Sequence, residues 1–138
     1  MKIVLFATLA VFGTFSPALA QTGPAAARAL PLAEGVTEAL DCGGVALATP
    51  SVCLQTTFLN LQPAFDAYAE FLGQQGWVGV GAIENGLVLS RPREGGGCDG
   101  MQLVAFIATQ QVPTASTPAY LAFSPIPGDI CTQSPPAP

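Results

Sequence analysis

Two apolar periods alternate along the chain and divide it into elements. Leu61, Phe65, Tyr68 and Leu72 follow the i, i+4, i+7, i+11 spacing of one helical face, with Ala64 and Phe71 beside them. This predicts an amphipathic helix over 62–75, with Asp66 and Glu70 on its flank. Asn60 precedes it as a cap, Pro63 sits in the first turn, and Gly73 or Gly76 ends it. Elsewhere the period is two. Residues 52–59 alternate, with Leu54, Thr56 and Phe58 on one side and Gln55 and Thr57 on the other. The runs 77–83 and 87–91 flank Glu84-Asn85-Gly86, and Asn-Gly between apolar runs signals a hairpin. Two further strands, 101–109 and 119–124, are separated by Pro113 and a Ser/Thr-rich bend, and 45–48 is a candidate for a short additional strand.

The order β-α-β-β-β-β predicts an α+β domain in which a single helix packs on an antiparallel four- to five-stranded sheet. One helix covers one face. Yet 101–109 is apolar on both, with Met101, Leu103, Ala105 and Ile107 on one side and Val104 and Phe106 on the other. A half-exposed strand alternates apolar with polar. The second face, with Val88, Val104, Phe106, Tyr120 and Ala122, therefore requires a cover. The segment 30–47 is the expected one; self-association or a partner protein is the alternative.

Gly79 and Gly81 lie two apart, on the same strand face as Trp77 and Ile83. Glycine inside a strand marks close approach by another group. The expected neighbour is Phe65 or Phe71 of the helix, and the other reading is a trough for a small apolar ligand.

The two ends of the chain differ from its centre. Residues 1–20 combine Lys2, an apolar run from Ile3 to Phe12, Pro17 and the small-residue site Ala18-Leu19-Ala20, the three parts of a secretory signal. An apolar run of this length is too short to span about 30 Å of hydrocarbon. Cleavage after Ala20 is expected, and with it a periplasmic or secreted location. Residues 21–40 read as a flexible Ala/Pro-rich lead-in with a short helical turn near 36–40, 41–132 as one domain and 133–138 as a disordered proline-rich tail. An even set of cysteines in an exported chain reads as disulfides. Cys42, Cys53, Cys98 and Cys131 allow three pairings, of which Cys42–Cys53 and Cys98–Cys131 are favoured. Neither a C-x-x-C motif nor histidine is present to support a metal reading.

Composition narrows the chemistry. The sequence contains no histidine, and its one lysine, Lys2, lies in the leader. Imidazole bases, Schiff bases and phosphate-loop lysines are thereby excluded from the mature chain. Three arginines against nine carboxylates make the mature chain acidic, which disfavours nucleic acid and anionic membranes. Residues 91–100 (RPREGGGCDG) place Arg91 and Arg93 beside a glycine run. They read either as an anion-binding loop or as a hairpin connection. No cofactor motif is present, and none is expected to bind. Glu34, Glu38 and Asp41 read as a solvated cluster, Glu34 and Glu38 sharing a face if their segment forms a helical turn.

The preferred functional reading is a non-enzymatic binding module of the periplasm, using Val88, Val104, Phe106 and Tyr120 to contact an envelope protein or a second copy. The alternatives are a small apolar-ligand carrier and a carboxylate-dependent hydrolase of envelope glycans using Glu34, Glu38, Asp66 or Glu70.

Overall fold

The computed structural model describes residues 30–49 and 51–132. The expected signal segment, residues 21–29 of the lead-in and the 133–138 tail lie outside the described residues. One helix packs on a six-stranded antiparallel sheet. In chain order the elements are β1 (Thr37–Glu38), β2 (Val52–Thr57), α1 (Phe58–Gln74), β3 (Val78–Ile83), β4 (Gly86–Pro92), β5 (Cys98–Ile107) and β6 (Pro118–Ile126). The spatial order is β1-β2-β6-β5-β4-β3, so the last strand, β6, lies between β2 and the β3–β5 meander.

Helix α1 starts earlier than the sequence suggests. Thr57, not Asn60, is its N-cap and makes no side-chain capping bond. The loop before β6 supplies the partners instead: Phe58 N–H donates to the Thr117 carbonyl (2.8 Å) and Leu59 N–H to that of Ala115 (3.1 Å). Those long-range acceptors satisfy N–H groups that a helix start leaves orphaned. Pro63 consequently lies inside the helix rather than at its first position. At the far end Gly76, at φ +84°, turns the chain, and the Trp77 N–H returns to the Leu72 carbonyl (3.0 Å).

The inner face of α1 packs Ala64, Tyr68 and Leu72 against Leu54, Leu89, Met101, Leu103, Leu121 and Phe123 of the sheet. Tyr68 meets Phe123 edge-on at 5.5 Å. Leu61, Phe65 and Phe71 are only partly buried. Trp77 is buried in the same core and lies beneath the Arg91 guanidinium, 4.7 Å from the ring centroid.

Residues 30–40 depart from the expected flexible lead-in. Leu30 and Ala33 pack on the helix-side core, where Val36 is 6% exposed. Tyr68 fastens this segment: its hydroxyl donates to the Pro31 carbonyl (2.9 Å) and accepts from the Ala33 N–H (3.2 Å). Thr56 Oγ1 adds a bond to the Gly35 carbonyl (3.0 Å). The chain then turns the sheet edge as β1, pairing Thr37 with Gln55 and Glu38 with Leu54. Thus the extra strand is Thr37–Glu38, where a helical turn was expected, and 45–48 is not a strand.

Both disulfides have the favoured pairing, Cys42–Cys53 and Cys98–Cys131. On the chain-entropy account, loops of these lengths contribute about 3 and about 4 kcal/mol.

Replacing Tyr68 with Phe is expected to cost about 1–3 kcal/mol, because it orphans the Ala33 N–H at a partly buried site. Urea denaturation followed by circular dichroism reads this directly; an unchanged midpoint would show that 30–36 is not held by this hydroxyl.

Candidate functional site

Sheet register divides the strand residues between two faces. Leu87, Leu89, Met101, Leu103, Leu121 and Phe123 face α1, and alternation places Val88, Gln102, Val104, Phe106, Tyr120 and Ala122 on the other side. The sequence-predicted residues Val88, Val104, Phe106 and Tyr120 therefore do share one face. Both strand cysteines belong to it as well: Cys53 pairs with Ala122, and Cys98 is in step with Gly100 and Gln102.

Each disulfide fastens a covering segment over this face. The first holds the 3₁₀ turn Cys42–Gly44 against the β2–β6 side, where Ala39, Cys42, Cys53, Tyr120 and Ala122 form a second small core with Leu47 and Phe106 at its margin. Gly43 lies directly on the Tyr120 ring: a Cβ there would stand 2.5 Å from Cζ, and φ is +68°. Tyr120 is accordingly only 8% exposed and stacks on Phe106 at 5.5 Å. The second disulfide holds Ile130 over Gly100, whose added Cβ would meet the Ile130 side chain at 2.6 Å. Asp129 locks this end, accepting hydrogen bonds from the Cys98 N–H (2.8 Å) and the Cys131 N–H (3.0 Å).

Between these covers a strip remains open. Val88, Val104 and Phe106 are half-buried, and the neighbouring edge strand β3 is exposed along its whole length. Val78 is 60% exposed and Val80 58%. Glycines deepen the opening, since Gly81 faces Val88 and Gly86 faces Val104 without a side chain.

On the opposite side α1 lies chiefly over β2, β6 and β5. A groove of about 520 Å³ opens there between Phe58, Leu61 and Phe65 of the helix and Leu87 and Ala105 of the sheet, closed at one end by the β3–β4 hairpin tip. Its polar groups are the Gln62 and Asn85 amides; no ionisable side chain lines it. The sequence signal for it was the placing of Leu61 and Phe65 on the apolar face of a helix too narrow to cover the sheet.

The glycine trough at Trp77 does not form. A bulge in β3 pairs Gly79 with Leu89 but Gly81 with Val88, putting the two glycines on opposite faces. No helix aromatic reaches Gly79, which has open space where a Cβ would be. The Trp77 indole N–H is the one buried side-chain polar atom without a hydrogen-bond partner among the described residues.

The arginine segment is a hairpin rather than a long loop. Arg91 pairs with Asp99 across β4 and β5, and the connection reduces to 93–97, closed by Arg93 N–H to the Gly97 carbonyl (3.0 Å). Gly95, Gly96 and Gly97 all have positive φ, which lets the turn close so tightly. Carboxylates flank both arginines: Arg91 lies 3.5 Å from Asp99, and Arg93 lies 3.6 Å from Asp99 and 3.8 Å from Asp129. Cys98, Asp129 and Cys131 cluster within 4.8 Å, but the sulfurs are joined to each other and the carboxylate serves backbone N–H groups.

The acidic residues are dispersed. Glu34 lies in the turn before β1, Glu38 on β1, and Asp66 and Glu70 on the exposed side of α1, with Asp66 accepting from Gln62 (2.9 Å). No helix among the described residues is long and apolar enough to cross a membrane. Compared with known protein families, with curated proteins and with solved structures, the chain matches none.

Gly43→Ala is expected to destabilise the domain by about 1–3 kcal/mol through overpacking against Tyr120 and an unfavourable left-handed φ. Near-ultraviolet circular dichroism together with a denaturation curve checks it. A variant as stable as wild type would mean that the disulfide-held turn does not press on this face.

Proposed function

We propose that this chain is an exported, non-enzymatic binding module that recognises an envelope protein through the open strip of its second sheet face. One observation carries the reading. Two disulfide-held segments cover both ends of that face and leave Val88, Val104 and Phe106 half-exposed between them. Exposed contiguous apolar surface of this kind is characteristic of interaction sites. Phe106 is its anchor, an aromatic ring already ordered by stacking on Tyr120, so little rotamer freedom is lost on binding. The absence of histidine and of lysine beyond the leader supports a surface function over catalysis.

A photo-crosslinking residue at 106, introduced in the producing cell, is expected to give a discrete protein adduct, whereas the same residue at exposed position 66 gives none. Phe106→Asp, folded by circular dichroism, is expected to lose the partner captured through position 88. Equal labelling from 106 and 66 would remove the reading.

The helix-side groove favours a second reading, a carrier of a small apolar ligand. Its volume of about 520 Å³ and uncharged lining suit an aliphatic or aromatic molecule. An uncharged apolar fluorescent probe such as N-phenyl-1-naphthylamine is expected to bind wild type and to lose most of its signal with Leu61→Gln. Retention of the signal in that variant would place the probe elsewhere and count against the carrier.

A further inference from the structure

We propose that two copies of this chain associate edge to edge through β3, running antiparallel about a two-fold axis to form one continuous sheet. The two edges of the sheet are unlike. β1 is two residues long, carries Glu38 and is part of the segment that wraps the edge. β3 is six residues long, contains no charge and no proline, and is exposed throughout. An edge of that kind offers unpaired N–H and carbonyl groups to another strand; sheet proteins ordinarily guard it with charge, proline or a bulge, and β3 has only the last of these.

The facing pattern of β3 suits a second copy. A two-fold pairing requires each residue to meet one on the same face. Partners on β4 place Val78 and Ile83 on one face and Gly79 and Ala82 on the other. In a regular six-residue strand positions 78 and 83 fall on opposite faces, and full-overlap self-pairing is forbidden. The bulge at Gly79/Gly81 removes that obstacle by inserting Val80. Val78 then lies opposite Ile83 of the second copy, Gly79 opposite Ala82 and Val80 opposite Gly81. A glycine opposite each exposed valine at the centre keeps the approach unobstructed.

Charge selects the same register. The acidic chain repels its own copies except where carboxylates are absent, and 78–83 has none. The nearest carboxylate, Glu84, falls opposite Trp77 of the second copy. Arg91 lies over that ring, 4.7 Å from its centroid, and its side chain also reaches Gly76. Each end of the paired strands thus sets a carboxylate from one copy near a guanidinium of the other. The pairing uses the backbone edge of β3 and leaves the adjoining sheet face open, so the chain can self-associate and still present the Phe106 strip.

Sedimentation velocity on the full chain over a concentration series tests the pairing. Wild type is expected to show a reversible monomer–dimer equilibrium. Val80→Lys, which sets two ammonium groups near the two-fold axis, is expected to be a folded monomer. Glu84→Arg, at an exposed turn, is expected to weaken the dimer about tenfold. Phe106→Asp is expected to leave the dimer intact, which separates this outcome from any failure of the binding-module reading. A wild-type chain monomeric up to roughly 1 mM would overturn the pairing. So would a folded Val80→Lys variant that dimerises like wild type, or a dimer abolished by Phe106→Asp alone. Binding of a synthetic Val-Gly-Val-Gly-Ala-Ile peptide to a monomeric wild type would assign the edge to another strand and overturn it too.

Discussion

Everything distinctive in this fold follows from a sheet with more apolar surface than one helix can bury. A helix is about 10–12 Å across, whereas six strands spaced about 4.8 Å apart are more than twice as wide. Helix α1 therefore lies chiefly over β2, β6 and β5, and only on one side. The remaining apolar surface has to be covered by irregular chain. Irregular chain gains little from its own hydrogen bonding, so its ordering entropy must be offset by other means. Here two covalent links and a few long-range hydrogen bonds supply the offset: Cys42–Cys53 and the helix-side Tyr68 hydroxyl hold the segment before β2, and Cys98–Cys131 with the Asp129 carboxylate holds the segment after β6.

The disulfides thus do more than shorten the unfolded chain. Both strand cysteines point to the second face, and each brings a segment across it. Glycines make this close approach feasible, Gly43 above Tyr120 and Gly100 beneath Ile130. Where no cover reaches, the sheet ends in the open strip and the bare β3 edge. The same economy assigns the arginines. Two guanidiniums that look free in sequence are set against Asp99 and Asp129, and Arg91 also closes over Trp77. Surface pairs of this type contribute at most about 1 kcal/mol each, so their effect is to orient the hairpin more than to stabilise it.

Much of this was legible in the sequence, and the failures have specific causes. Tyr68 and Leu72 announce the helix because a period of 3.6 is a local property, and the doubly apolar 101–109 run announces a second buried face for the same reason. The helix start was misplaced because its N–H groups bond to Ala115 and Thr117, more than fifty residues away. Thr37–Glu38 has no strand signature; it is a strand because β2 offers it a free edge. The bulge at Val80 carries no sequence mark beyond its glycines, and it reversed the reading of Gly79 and Gly81 as one trough. At the candidate site, register united Val88, Val104, Phe106 and Tyr120 as expected, but Tyr120 turned out to lie under the Gly43 turn.

The sequence by itself determined the class of fold, the pairing preference of its cysteines and the lack of any imidazole, because periodicity, spacing and residue type are readable without coordinates. Only the tertiary structure decided which apolar residues remain uncovered. Coverage depends on how far a helix reaches across a sheet and on where a tethered loop comes to rest. Those are contacts between segments distant in the chain, and no local pattern of residues encodes them.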